Sequence, residues 1–326
     1  MKELYLPFLN ETIVPEKMIK LIKPKKSNFM IEVSVPANSK VMYWAAKKID
    51  GKTFWNEADI YHFIGKDIVY HHYLFLPAMR LGINNEFKLP DYIPTRGHLT
   101  LEGKKISKSR NWYIGLKDFL EKFPADYLRF YLISINPYSQ DDLNFDWEQF
   151  STKINSELIG NLGNLVNRAL GFTTKAFDGV VPEPESFDEK DSESEKKIKS
   201  LADDVGKLMQ ENHLDRALKQ LMEFSAHFNQ YFQHKEPWKK GPGTNACIFL
   251  SVNAVRSIAI CLHSFLPKSS QKIWSQLGLE GNVSDISWNE MSELKLKAGH
   301  KIGTVEPIFS KVESSDIEKE QSKLGS

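Results

Sequence analysis

The chain has 326 residues, 41% of them hydrophobic and 12% aromatic, enough to bury a core in each of two or three domains. Its 43 Lys and Arg are balanced by 42 Asp and Glu, a net charge of +1, which excludes binding to nucleic acid by bulk positive charge but leaves room for a local basic face. The 2 cysteines, Cys247 and Cys261, exclude a disulfide framework and a four-cysteine zinc site, and they fit a reducing cytosol.

Residues 1–27 carry no pattern that assigns them. Next, "NFMIEVSV" (28–35) and "KVMYWAA" (40–46), rich in Val, Ile and aromatics, read as strands. "IYHFIG" (60–65) reads as a buried strand ending at Gly65, and "DIVYHHYLFLPAMRLG" (67–82) has helical length and periodicity. Strand, glycine and helix in that order set backbone N–H groups and a helix N-terminus beside a ligand. The stretch "GKKISKSRN" (103–111) is too polar for a core element. Lys104, Lys105, Lys108 and Arg110 around two serines make either a solvated turn or a holder for polyphosphate. In the second case the cations stabilise charge that builds up on a leaving pyrophosphate.

Beyond residue 112 the pattern is helical: "LKDFLEKF", "ADYLRFYLISI", then a long segment from Trp147 to about Phe177. There Leu158, Leu162, Leu165, Val166 and Ala169 fall along one arc, with Asn164 and Arg168 four apart and off that arc. Such a pair either reads base edges and grips a backbone or is a solvated polar face. An acidic, proline-bearing connector (177–197) with capping residues leads to helices over about 193–212, 214–235, 245–265 and 268–277. The apolar run 246–265 contains Asn253, Arg256 and His263, which predicts a buried bundle helix rather than a membrane span. In "HKEPWKK" (234–240), Trp238 follows a proline amid Lys235, Lys239 and Lys240, placed to stack on an unpaired base or to staple a helix end. From about residue 312 the chain is polar and expected to fray.

"YHFIGKDIVYHHYLFLPAM" (61–79) followed by "RGHLTLEGKKISKSRN" (96–111) resembles the methionyl-tRNA synthetases of class I, and Lys105-Ile106-Ser107-Lys108-Ser109 resembles that class's KMSKS signature. The resemblance implies a loop that closes over ATP, with Lys108 the principal cation, Lys105 a supporting one, and Ser107 and Ser109 beside the phosphates. It implies that Gly65, Lys66 and Asp67 border the adenylate, and that Trp44, Ile68 and His72 line a methionine pocket. Asn164, Arg168 and Trp238 fall where the family reads the CAU anticodon, and "AGHKIG" (298–303) resembles its segment near the end of the core. At Ala45-Ala46-Lys47-Lys48 the chain departs from the family's Asp-Ala-Pro type segment. The family's HIGH-bearing half and its zinc-binding insertion have no match.

The implied fold is α/β plus all-α: the second half of a Rossmann-type catalytic domain (1–99), a KMSKS-type loop and stem-contact connector (100–150), an antiparallel helical anticodon-binding bundle (151–310) and a polar tail (311–326). The implied activity is that of a cytoplasmic methionine–tRNA ligase, which takes L-methionine and ATP with Mg2+ to methionyl-adenylate and transfers the methionyl group to tRNA(Met). No zinc site and no membrane contact are expected, and a separate N-terminal half is expected to complete the catalytic site. The alternative is a non-catalytic tRNA-binding paralogue.

Overall fold

The computed structural model describes residues 19–22, 30–33, 56–57, 59–83 and 88–325; the strand expected over 40–46, with Trp44, lies outside them. The chain divides into two compact units, Met1–Arg96 and Gly97–Ser326.

In the first unit, β1 (Ile19–Ile22) pairs antiparallel with β2 (Met30–Val33), the centre of the strand expected over 28–35. β3 (Ile64–Gly65) pairs in parallel with β4 (Thr95–Arg96). A parallel pair needs a crossover, and residues 66–83 supply it. They form a 3-10 turn (Lys66–Ile68), a π-helical turn (His71–Phe75) and helix α1 (Leu76–Ile83). The expected strand–glycine–helix unit is therefore present, although its regular ladder is short. Upstream the same alignment continues loosely: the Ile60 N–H donates to the Asp91 carboxylate at 2.8 Å and the His62 N–H to Tyr92 O at 2.9 Å.

The second unit opens on a small sheet in which β5 (Leu99–Leu101) lies between antiparallel β6 (Lys104–Lys105) and parallel β7 (Leu143–Phe145). Glu102 and Gly103, with φ of 49° and 72°, close the β5–β6 hairpin. Both left-handed angles suit the tight primed turn such a hairpin needs, and glycine takes the second without strain. Helices α2 (Leu116–Lys122) and α3 (Ala125–Ser134) follow, then an unbroken helical run from 147 to 177. That run is α4 (Trp147–Lys153), a π-helical stretch (Ile154–Gly163) and α5 (Asn164–Phe177). Its predicted apolar arc holds: Leu158, Leu162, Leu165, Val166 and Ala169 are all buried. The Asp188 and Asp191 side chains form a capping box that starts α6 (Glu189–Gln210), and α7 (Leu214–Lys235), α8 (Thr244–Leu262) and α9 (Pro267–Gln276) complete the bundle.

Every residue of α8 except Asn245 is buried. Asn253, Arg256 and Ser257 are satisfied inside the protein, Ser257 Oγ–H donating to Met291 O at 2.5 Å. Asn253 exchanges two hydrogen bonds with the Leu296 backbone, and Arg256 donates to Glu290 O at 2.8 Å. Length and composition would let this helix cross a bilayer, but here it is the axis of the bundle, as its Asn and Arg predict. Burial pushes the Cys247 thiol up to about 12 and raises that of Cys261 as well, leaving both unreactive.

The C-terminal segment corrects the sequence reading. Instead of fraying, Ser314–Gln321 forms helix α10, with Ile317 in the core and the buried Glu320 carboxylate held by Lys122 and Lys323. The Lys323 carbonyl and the Gly325 N–H then bond Asn111 at 3.0 and 2.9 Å, fastening the segment to the β6 hairpin.

Candidate nucleic-acid interface and phosphate loop

In the first unit, the turn after β3 gathers Gly65, Lys66, Asp67, Ile68 and His72 on one short path. A Cβ on Gly65 would lie 2.5 Å from Asp67 Oδ1, so the residue at the turn must be glycine for Asp67 to fold back as it does. Lys66 and Asp67 are exposed, Ile68 is half-buried, and His72 is buried at 4% exposure. His72 Nδ1 lies 3.0 Å from Nδ1 of His62, so one ring donates to the other and the contact requires an uncharged acceptor. Burial, then the neighbouring His72, bring the His62 pKa down to about 4. That of His72 is lowered too, by burial and by His71. The sequence reading missed His62; its signal was a second imidazole on the strand entering a helix that carries the first. Beside this turn Tyr70, Phe63, Tyr73, Leu74 and Phe75 stand exposed, Tyr70 at 70%.

In the second unit, Lys105, Ser107, Lys108 and Ser109 share one hairpin extension. β6 delivers Lys105, the Ser107 and Trp112 backbones bond each other at 2.8 Å, and the turn Lys108–Arg110 between them is helical. Ser107 Oγ and Ser109 Oγ are 3.2 Å apart. Trp112 anchors the base through an Nε1–H bond to Leu101 O at 2.8 Å, and Lys104 Nζ stacks 4.2 Å above its ring. Lys104, Lys105, Lys108 and Arg110 are all exposed, and among the described residues none of the four is ion-paired. Exposed cations grouped on a braced loop have the chemistry to hold an anion.

Arg168 and Trp238 come together elsewhere in the same unit, although 70 residues of sequence separate them, and Asn164 stands exposed one helical turn before Arg168. The Arg168 guanidinium lies 4.9 Å from the Phe232 ring centroid and 6.0 Å from that of Trp238. It also donates to Gln233 Oε1 at 2.9 Å, while Asn164 Nδ2 donates to Asn229 Oδ1 at 2.9 Å. Trp238 is 43% exposed. It is held out by a left-handed Glu236, φ 43°, and by Lys235, whose Nζ bonds Asp188 and Asp191 at 2.7 and 2.6 Å. Against this face opens a cleft of about 830 Å³ with Asn167, Arg168, Phe172, Phe232, Trp238 and Lys301 in its walls. Aromatic faces beside cations are what an unpaired base and its phosphate require. Phe232, Gln233 and Asn229 escaped the sequence reading, because on α7 they look like any amphipathic helix. Lys301, from the 298–303 segment, enters through the bridge it makes with Val180.

Comparison with known proteins matches this arrangement. The family model "tRNA synthetases class I (M)" matches residues 35–170, and the "anticodon binding domain of methionyl tRNA ligase" matches 181–326. The chain is thus a member of the class I tRNA synthetases. Within that class it belongs to the methionyl family. It is 39% identical to the methionine–tRNA ligase of Pyrococcus horikoshii over 83% of this chain and 39% of that one, and 41% identical to that of Methanopyrus kandleri over 84% and 41%. The chain therefore spans about two fifths of the length of these curated relatives. Among solved structures, the free-state Mycobacterium tuberculosis methionyl-tRNA synthetase aligns with a TM-score of 0.74 at 24% identity, covering 89% of this chain and 57% of that one. The same enzyme in complex with methionyl-adenylate gives 0.74 at 23% identity, over 94% and 66%. At such identities these structures speak for the fold alone.

Proposed function

We propose that this chain is the C-terminal portion of a methionine–tRNA ligase. Its helical bundle reads the anticodon of tRNA(Met), its 103–111 loop holds ATP phosphates, and its Gly65–His72 turn borders methionyl-adenylate. The observation that carries the reading is the meeting of Arg168 and the exposed Trp238 on one cleft, with Asn164 exposed one helical turn before Arg168. The division of labour follows the expected boundaries: catalytic half to residue 99, loop and connector to 150, bundle to 310. In adenylate formation negative charge accumulates on the departing pyrophosphate. Lys108 and Lys105, exposed and with no carboxylate paired to them among the described residues, move toward that charge and stabilise it more in the transition state than in the ground state. Mg2+ arrives with ATP as part of the substrate. Ile68 and the uncharged, buried His72 offer an apolar wall with one polar atom, which suits a thioether side chain.

Half of such a site does not catalyse efficiently, since donors are needed on both sides of the phosphates. The exposed aromatic face around Tyr70 and Phe63 is where the N-terminal, HIGH-bearing half of the catalytic domain seats. The working compartment is the cytoplasm. One observation favours the alternative, a non-catalytic tRNA-binding paralogue: the Ala45–Lys48 departure from the family pattern. Only the first reading predicts ATP–pyrophosphate exchange once an N-terminal half is supplied.

Trp238→Ala tests the reading. Truncating a ring this exposed costs the fold little, while removing one stacking platform weakens a CAU stem-loop by about 1–3 kcal/mol, roughly 5- to 150-fold. Fluorescence anisotropy with a labelled CAU stem-loop measures it; unchanged affinity for that loop refutes the assignment.

A further inference from the structure

Asn164 does not stand alone on its face. Asn161, three residues earlier in the π-helical stretch, donates from Nδ2 to Met222 O at 2.8 Å. Asn229 on α7 donates from Nδ2 to Asn161 O at 2.9 Å, to Asn161 Oδ1 at 3.1 Å and to Ser225 O at 3.3 Å. Main-chain carbonyls only accept, so these bonds force the Asn229 amide nitrogen inward and its Oδ1 outward. Asn229 Oδ1 then accepts from Asn164 Nδ2 at 2.9 Å. Rotating the Asn164 amide by half a turn would set two acceptor oxygens against each other at that distance. The polarity of the exposed amide is therefore dictated by backbone carbonyls two side chains away.

We propose that Asn229 is a positioning residue: it fixes the Asn164 amide so that Asn164 Oδ1 faces the solvent side as an acceptor, and the face takes an unpaired base bearing an exocyclic amino group while rejecting its keto counterpart. The inference rests on the anticodon reading above. Cytosine and adenine carry such an amine; uracil and hypoxanthine carry a carbonyl in its place, which would meet Asn164 Oδ1 acceptor to acceptor. In a CAU loop both the first and the second base qualify, and the test separates them.

The full chain is titrated with stem-loops carrying CAU, UAU and CIU (inosine at the second position), alongside a scrambled RNA. Wild-type protein favours CAU over one of the two keto loops by about tenfold or more, and which loop is disfavoured identifies the base Asn164 reads. Asn229→Leu removes both the anchor and the acceptor, and the preference falls toward unity. Asn229→Asp keeps an acceptor for Asn164 but cannot donate to Asn161 O. It lowers affinity for every loop through its added negative charge, yet preserves the preference. A purely structural role for Asn229 predicts no such split. Circular dichroism melts accompany each variant, and the smaller Asn229→Ser replaces the leucine variant if that one does not fold. A preference that survives in Asn229→Leu or Asn229→Ser, or that disappears in folded Asn229→Asp, overturns the inference. So does a wild-type protein that prefers CAU to scrambled RNA but binds all three loops equally. Absence of any preference over scrambled RNA overturns the anticodon reading itself.

Discussion

Lys235 is the residue on which the presentation of Trp238 depends, and Lys235→Met isolates its charge while keeping most of its aliphatic stem. The lysine side chain is 7% exposed and its partner Asp191 1%, with Nζ to Oδ1 at 2.6 Å. Tyr231 O–H donates to the same Asp191 oxygen at 2.6 Å. Burial opposes the lysine's charge, but the two carboxylates outweigh it and hold its pKa above the usual value. Removing one partner of a buried pair costs about 3–5 kcal/mol, because the other charge is left uncompensated. Asp191 would keep its tyrosine and the Asp188 backbone N–H, so the lower end, about 3 kcal/mol, applies. For a unit of this size that is a fall of roughly 10 °C in melting temperature by calorimetry. The control is Lys239→Met: that lysine is 64% exposed and pairs with Glu236, and exposed pairs contribute less than about 1 kcal/mol. Below its melting transition Lys235→Met should also bind the CAU stem-loop less tightly, since the turn that carries Trp238 loses its tether. A Lys235→Met protein that melts within about 2 °C of wild type, or a Lys239→Met protein equally destabilised, would refute this reasoning.

Two further outcomes are expected. The His62 pKa is depressed from 6.5 to about 4, so the unfolded chain takes up a proton that the folded one refuses. Stability of the first unit is therefore full above pH 6.5 and declines as pH falls toward 4, by at most about 3 kcal/mol. Amide exchange over residues 60–75 at pH 7 and pH 5 should reveal the decline, and a His62→Phe variant should flatten it. Separately, Lys108→Ala in a complex completed with the N-terminal half should cut ATP–pyrophosphate exchange about 100-fold. Stem-loop affinity should hold, because Lys108 is exposed on the loop and lines no part of the cleft; a parallel loss of RNA binding would contradict the separation of roles.

How legible these features are in the sequence follows from the distance over which each is determined. The helix that presents Asn164 and Arg168 was readable because its cause is local: five apolar residues at helical spacing bury one arc and leave the pair outside it. The basic loop was readable for the same reason, as a run of cations between apolar strands. Asn229 and Gln233 were not, since each is defined by a partner 65 residues away, and nothing on α7 distinguishes them from ordinary polar positions. The C-terminal helix was misread because "SSDIEKEQ" offers the core a single aliphatic residue. Its order comes from Glu320 meeting Lys122, 198 positions upstream, a coincidence no window of sequence contains. The π-helical stretch also went unseen; an apolar arc at mean helical spacing does not register one extra residue per turn.

One core of side chains runs without interruption from Leu101 beneath the basic hairpin to Val312 and Ile317 at the far end of the sequence, taking in the helices that wall the cleft. Asp126 adds a polar rivet: its buried carboxylate accepts from both the N–H and the hydroxyl of Ser269, joining the connector helix α3 to α9. Close-packed interiors resist being sheared, so the hairpin and the cleft ride on a common chassis. The span from cleft to hairpin is thereby preset by the packing between them, as in a gauge block.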